Sequence, residues 1–293
     1  MATAVSINGR LCSERDAVVS VFDHGFLFGE GVYEVLRTYG HHPFLYEAHI
    51  RRMRDSAARI ALGVPFTDAE LLVSVRDTMA VLPDLTEAYV RILLTRGVGD
   101  FTYDPKACPT PTLVIIVKPL VGPSPDAYDR GVKVALVDVT RNHPRSVSPL
   151  IKSNNLLNNA LAMQQALGRG GFEALMRNYK GEICECSQSN FFLVRRGEVL
   201  TPPLDAGLLA GITRAFIFDL GRECGIPVRE TTLLEADLAS ADEAFLTSTT
   251  REVVPIVAVD DLKVGTGSPG PVTAALLTAF RRHTDRLRAV GAV

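Results

Sequence analysis

The chain has 293 residues, of which 47% are hydrophobic and 22% charged, with a formal net charge of -2. That length suits two domains with sizeable cores, and the balance is that of a globular chain and not a disordered one. Neither sign of charge dominates, so bulk charge gives no argument for a nucleic-acid partner; no apolar run could cross a bilayer, and no basic-then-apolar leader opens the sequence.

Val5-Ser6-Ile7 followed by Asn8-Gly9 predicts a strand entering a tight turn. Ala48 to Leu62 carries apolar residues at helical spacing with arginines on the other face, and Thr67 opens a second helix with Glu70 at capping-box spacing. Ala88 to Thr95 and Thr112 to Lys118 read as buried strands. Pro119, Gly122, Pro123 and Pro125 break the periodicity, which makes 119–131 the candidate interdomain linker between 1–118 and 132–293. Beyond it, Val132 to Val139 alternates as a strand, and Asn155 to Leu167 has a helical pattern. Tyr179 to Glu182 forms a hairpin turn, and Phe191 to Val194 is a strand. A helix from Thr213 to Cys224 stops at Gly225, Glu243 to Thr247 is another strand, and Gly270-Pro271 leads into a last helix. Helices and strands mix without a repeat, which gives an α/β (α+β) fold class.

Five cysteines, odd in number and scattered, argue against a disulfide framework and for a reducing, cytoplasmic setting. Cys184 and Cys186 lack a second thiol or imidazole pair, so no metal site is expected.

Most lysines have ordinary explanations. Lys133 points to solvent by alternation, and Lys106, Lys180 and Lys263 sit beside turn residues. Lys152 lies between apolar Leu150-Ile151 and Ser153-Asn154-Asn155. A solvated loop lysine is the ordinary reading, but a partly desolvated amine has the lowered pKa that a Schiff-base nucleophile needs. Other segments favour the second reading. Gly211-Ile212-Thr213-Arg214 opens a helix whose N–H groups could hold phosphate. Ser248-Thr249-Thr250 follows a strand and offers hydroxyls. Arg52 suits a phosphate dianion. Glu185, on the apolar stretch Ile183 to Ser187, needs a partner that a protonated pyridine nitrogen would supply; a salt bridge would serve equally.

Those segments, with Asp23-His24-Gly25 through Gly31-Val32-Tyr33-Glu34 and His49-Ile50-Arg51-Arg52-Met53, resemble the class IV aminotransferases from about Ile7 to Val272. That group includes branched-chain and D-amino-acid aminotransferases, (R)-amine transaminases and aminodeoxychorismate lyase. The resemblance implies a small N-terminal α/β domain, a larger barrel-like C-terminal domain, and pyridoxal 5'-phosphate as cofactor. It also implies roles. Lys152 carries the cofactor and shuttles the proton, and Glu185 pairs with the pyridine nitrogen. Arg52, Ile212, Thr213 and Thr249 hold the phosphate, and Leu209 packs against the ring. A homodimer or an assembly of dimers is expected, with the loop Gly97 to Thr102 reaching into the partner's pocket.

For the substrate, Tyr89-Val90-Arg91 and Arg37 resemble the branched-chain enzymes, with Tyr33 and Thr250 also facing the substrate. The expected reaction moves nitrogen from a branched-chain L-amino acid to a 2-oxo acid such as 2-oxoglutarate. Leu157 departs from that pattern, where branched-chain enzymes carry a tyrosine. Gly31 to Val35 and Ser248-Thr249-Thr250 look like D-amino-acid aminotransferases, yet their Arg-x-His pair is missing after Arg96-Gly97-Val98. A D-amino-acid enzyme would need another carboxylate clamp, Arg251 or Arg37, and an (R)-amine transaminase stands third. A non-catalytic cofactor carrier would have no use for Tyr33, Tyr89 and Thr250.

Overall fold

The structure, a computed structural model, describes residues 3–290. The chain divides into two compact units. One runs to Val121 and takes in Ile151–Asn155 and the residues from Thr284, and the other comprises Gly122–Leu150 and Leu156–His283. One boundary between the units, at Val121 and Gly122, lies within 119–131, part of which is helical, while the short Lys152 segment and the residues from Thr284 belong to the first unit.

In the first unit, Asn8 and Gly9 take φ of 50° and 79°, the left-handed pair that joins β1 (Ala4–Ile7) to β2 (Arg10–Cys12). With β3 (Gly31–Tyr39), β4 (His42–Pro43), β5 (Ala88–Thr95) and β6 (Thr112–Pro119) they form an antiparallel sheet ordered β2-β1-β6-β5-β3-β4. Alternation splits its strands cleanly. Val32, Glu34 and Leu36 on β3 and Val90, Ile92 and Leu94 on β5 are fully buried, while Tyr33, Val35, Arg37, Tyr89, Arg91 and Leu93 lie half-buried on the other face. The helices are α1 (His24–Leu27), α2 (Tyr46–Arg59) and α3 (Asp68–Ala80). Ile50 and Met53 of α2 and Leu71 and Val75 of α3 join the buried face in one core, each contributing roughly 1.5–3 kcal/mol. The capping box at Thr67 and Glu70 forms as the sequence predicts. Helix α2 begins earlier than its periodicity suggests, because Leu45 adopts a left-handed conformation (φ 52°) and turns the chain into the helix there.

The second unit holds nine strands: β7 (Val132–Leu136), β8 (Ala174–Arg177), β9 (Ile183–Cys186), β10 (Asn190–Arg195), β11 (Glu198–Thr201), β12 (Val228–Glu230), β13 (Glu243–Ser248), β14 (Glu252–Val259) and β15 (Leu262–Lys263). Their order is β12-β11-β10-β13-β14-β7-β8-β9, with β15 on β14, and the short Ser187–Ser189 turn hands β9 to β10 so that the sheet curls into a half barrel. Phe191 and Phe192 on β10 face opposite sides yet are both fully buried, so this strand is covered twice. Around the sheet lie α4 (Pro125–Asp129), α5 (Leu157–Gly168), α6 (Ile212–Cys224) and α7 (Glu235–Leu238), and α8 (Pro271–Ala289) belongs to this unit as far as His283. Gly225, at φ 68°, ends α6 as expected. Strand β7 stops at Leu136, short of Val139, and α5 starts only at Leu157. Asn154 N–H is bonded to Gly31 O, so the chain just before α5 is held extended against β3. Among the described residues no helix is long and apolar enough to cross a membrane.

Candidate active site

Lys152 sits in extended chain, not at a helix start. Its carbonyl accepts from Tyr33 N–H (3.0 Å), and its own N–H donates to Ser56 Oγ of α2 (3.1 Å). Gly31 makes the approach possible: a Cβ there would lie 2.8 Å from Asn154 Oδ1 and 2.9 Å from Leu94 O. The Lys152 ammonium stands 4.5 Å from the centroid of the Tyr33 ring.

Four residues expected at the substrate side share the half-buried sheet face with that amine. The strand register sets Val35 beside Arg91 and Arg37 beside Tyr89. The Arg91 guanidinium lies 4.2 Å from the Tyr33 centroid and its Nη1 donates to Tyr89 Oη (3.4 Å). Arg37 lies over Tyr39 at 4.3 Å and reaches Glu87 at 3.5 Å, so it is partly engaged by an acid. Lys118, opposite Tyr89 on β6, adds a further cation 5.1 Å from the Tyr89 ring.

Arg52 is held by a group that sequence reading did not single out. Its Nε and Nη2 donate to the two carboxylate oxygens of Glu34 at 2.7 and 2.8 Å, and His49 Nδ1 lies 2.8 Å from Glu34 Oε2. Burial alone would raise the pKa of Glu34. Arg52 and His49 together outweigh it and hold the carboxyl well below the usual range. Burial pushes His49 below its ordinary value, against the pull of Glu34.

In the second unit Glu185 is buried among donors. Its Oε1 accepts from Arg141 Nε (2.7 Å), and its Oε2 accepts from Leu209 N–H (3.1 Å) and Asn190 Nδ2 (3.3 Å). Asn190 also donates to Leu209 O (3.0 Å), which ties the Leu209 turn to Glu185. That turn leads through Gly211, where a Cβ would fall 1.8 Å from Asn190 Oδ1, into Ile212 and Thr213 at the start of α6. No side chain caps this helix, so its first-turn N–H groups keep their affinity for an anion. Thr249 and Thr250 form the turn between β13 and β14, beside Thr247, whose buried hydroxyl has no hydrogen-bond partner among the described residues.

Arg251, a proposed alternative clamp, is engaged elsewhere. Its guanidinium contacts the fully buried Glu173 and donates to Gln188 Oε1 at 2.9 Å, while Ser189 Oγ also donates to Glu173 (2.9 Å). Burial raises the Glu173 carboxyl, and Arg251 opposes this. The loop Gly97 to Thr102 is tied down within its own unit by His24 Nε2 to Asp100 O (2.8 Å) and by the Asp23–Val98 bridge. No group of three His, Cys, Asp or Glu that could hold a metal occurs among the described residues.

The family model for amino-transferase class IV matches residues 31–259. The chain belongs to the class IV aminotransferases. It is similar to a provisionally assigned branched-chain-amino-acid aminotransferase of Methanocaldococcus jannaschii, at 38% identity over 94% of this chain and 95% of that one. A D-alanine aminotransferase of Listeria innocua is 36% identical over 94% of each chain. The crystal structure of the Escherichia coli branched-chain amino acid aminotransferase matches with a TM-score of 0.91 at 32% identity, covering 95% of this chain and 93% of that one.

Class IV aminotransferases depend on pyridoxal 5'-phosphate, and the residues present fit it. An ionised carboxylate offers about four lone-pair positions. Protein donors take three on Glu185, which leaves one on Oε1 for a ring N–H. The unsatisfied Thr247 hydroxyl and the uncapped α6 terminus suit a phosphate. Sequence reading missed Glu34, His49, Arg141, Asn190 and Glu173 as supports. Glu34 was discoverable, because alternation puts its carboxylate between Val32 and Leu36 on the buried face.

Proposed function

We propose that this aminotransferase moves the amino group of a branched-chain L-amino acid to a 2-oxo acid such as 2-oxoglutarate. The observation that carries this reading is the row Lys152–Tyr33–Arg91–Tyr89 on one half-buried sheet face. Bound pyridoxal 5'-phosphate supplies an electron sink for the bond broken at the substrate carbon. Lys152 Nζ carries the cofactor and takes and returns the proton. Glu185 accepts a hydrogen bond from the ring nitrogen and keeps it protonated. Arg52, the N–H groups of Ile212 and Thr213, and Thr249 hold the phosphate, and Leu209 packs against the ring. Arg91, with Tyr89 and Arg37, grips a carboxylate, while Tyr33 and Thr250 bound the substrate side. Structural likeness to branched-chain enzymes supports the same reading.

Two observations favour a second reading, transamination of D-amino acids: a D-alanine aminotransferase is nearly as similar, and Leu157 stands where branched-chain enzymes carry tyrosine. In that reading Arg37 serves as the clamp, since Arg251 is bound to Glu173. A donor panel with 2-oxoglutarate separates them. Strong turnover of L-leucine is expected; strong turnover of D-alanine with negligible L-leucine would sink the first reading, and turnover of (R)-1-phenylethylamine alone would sink both.

We also infer a homodimer or an assembly of dimers. Support comes from the exposed aromatics Phe22, Phe26, Phe101 and Tyr103, which stand 49%, 69%, 72% and 80% exposed, with Phe22 and Phe101 in ring contact. Phe101 belongs to the loop expected to reach the partner. Sedimentation should give a dimer or larger; a fully active monomer on dilution would contradict it. Five unpaired cysteines fit a reducing, cytoplasmic setting.

A further inference from the structure

We propose that Arg141 is the positioning residue for Glu185: it fixes which carboxylate lone pair is offered to the cofactor ring. This rests on the assignment of Glu185 to the ring nitrogen.

Arg141 lies in the loop after β7 and is itself buried, at 8% exposure. Three segments hold it. Its backbone N–H donates to Arg177 O of β8 (2.9 Å), and its Nη1 donates to Asn158 Oδ1 at the start of α5 (3.1 Å). Asn158 in turn accepts from Asn142 N–H (3.3 Å) and donates to Thr140 O (2.9 Å), which locks the loop. The remaining contact, Nε to Glu185 Oε1 at 2.7 Å, is the shortest of the three that Glu185 receives.

Two consequences follow. First, Leu209 N–H and Asn190 occupy Oε2 while Arg141 occupies one side of Oε1, so a single position remains, and its direction is set by where Arg141 stands. Second, without Arg141 the buried Glu185 would lose its ion-pair partner and its shortest hydrogen bond, so nothing would hold Oε1 in its present direction. Arg141 acts through Glu185 on both counts and touches no reacting atom. Orienting partners of this kind govern site chemistry nearly as strongly as the groups they orient.

The test uses R141M, R141K, N158A and E185Q. It measures the dissociation constant of pyridoxal 5'-phosphate from each apoprotein by fluorescence titration. It also records the pH dependence of visible absorbance of each holoprotein and the thermal midpoint of each apoprotein. R141M should bind the cofactor about tenfold or more weakly, the loss expected for a charged hydrogen bond. Its absorbance profile should move in the same direction as that of E185Q. R141K, which keeps a charge but not the fork to both Glu185 and Asn158, should fall between. N158A should show a smaller shift of the same sign. If R141M does not fold, R141K and N158A carry the comparison. An altered E185Q beside wild-type absorbance and affinity in the Arg141 and Asn158 variants overturns the proposal, even if their thermal midpoints fall. An E185Q protein indistinguishable from wild type overturns the assignment of Glu185 itself, and this proposal with it.

Discussion

The guanidinium of Arg91 lies over the ring of Tyr33 at 4.2 Å, on the ring that also carries the Lys152 ammonium at 4.5 Å. Both cations contact the one Tyr33 ring, and Arg91 Nη1 also donates to Tyr89 Oη (3.4 Å). A carboxylate gripped by Arg91 is thus presented close to the amine. R91M should raise the KM for the amino donor roughly ten- to a hundredfold, the range expected for losing a charged hydrogen bond. Its cofactor absorbance should stay as in wild type. Steady-state kinetics with an unaltered KM would remove Arg91 from the substrate site.

Glu34 and Arg52 form a two-pronged ion pair beneath the sheet, with Glu34 fully buried. Removing one partner of such a pair costs about 3–5 kcal/mol, because the other charge stays buried and unmatched. E34L should therefore destabilise the protein strongly and release Arg52 from its position, weakening cofactor retention. The double variant E34L/R52L should recover part of the lost stability but not the cofactor affinity. Denaturant melts and cofactor titration of both variants check this; recovery of affinity in the double variant would remove Arg52 from the phosphate site.

His49 gives a pH dependence with a defined sign. Its folded pKa lies below the ordinary 6.5, so below that pH the unfolded chain binds a proton that the folded protein resists. Stability should fall as pH drops from about 7 to 5, with this residue contributing up to about 1.4 kcal/mol per pH unit. Glu34 acts in the same direction at lower pH: its folded pKa is depressed, so its contribution is present above 4.5 and fades as pH falls further. In H49Q the first part of the slope should vanish. Equal slopes for H49Q and wild type between pH 7 and 5 would show that another group titrates there.

The sequence carried the local signals well and the long-range ones poorly. The Asn8-Gly9 turn, the Thr67 capping box and the Gly225 stop are written in adjacent residues, and all three form. Ala88 to Thr95 reads as a buried strand, but only one of its faces is buried, and Tyr89 and Arg91 lie half-buried on the other. The company of Lys152 could not be read this way. Its place depends on backbone bonds to Tyr33, more than a hundred positions earlier, and on a glycine at 31 that admits Asn154. Arg141 was invisible for the same reason: its partner is 44 residues away and nothing local marks it as buried.

Lys152 has its backbone fixed on both sides, by Tyr33 N–H and by Ser56 Oγ, so shortening its side chain should leave the fold intact. K152A should retain the cofactor only noncovalently, with the absorbance of the free aldehyde, and lose transamination almost completely. Borohydride treatment followed by mass measurement should tag the wild-type chain with the cofactor and leave K152A untagged. Near-normal turnover in K152A would overturn the proposed mechanism.

Arg251 separates a structural role from a substrate role. Its guanidinium holds the fully buried Glu173 and also Gln188, joining the turn that carries Thr249 and Thr250 to the turn after Glu185. R251A leaves Glu173 buried without its cation, so a loss of about 3–5 kcal/mol is expected. The Glu173 carboxyl is already raised by burial, which means a neutral amide should be tolerated best once Arg251 is gone. E173Q/R251A should therefore be more stable than R251A alone. A clamp on the substrate carboxylate would behave differently: R251A would keep its stability, lose donor affinity and gain nothing from E173Q. Chemical denaturation of R251A and E173Q/R251A, set beside donor KM values, distinguishes the two roles.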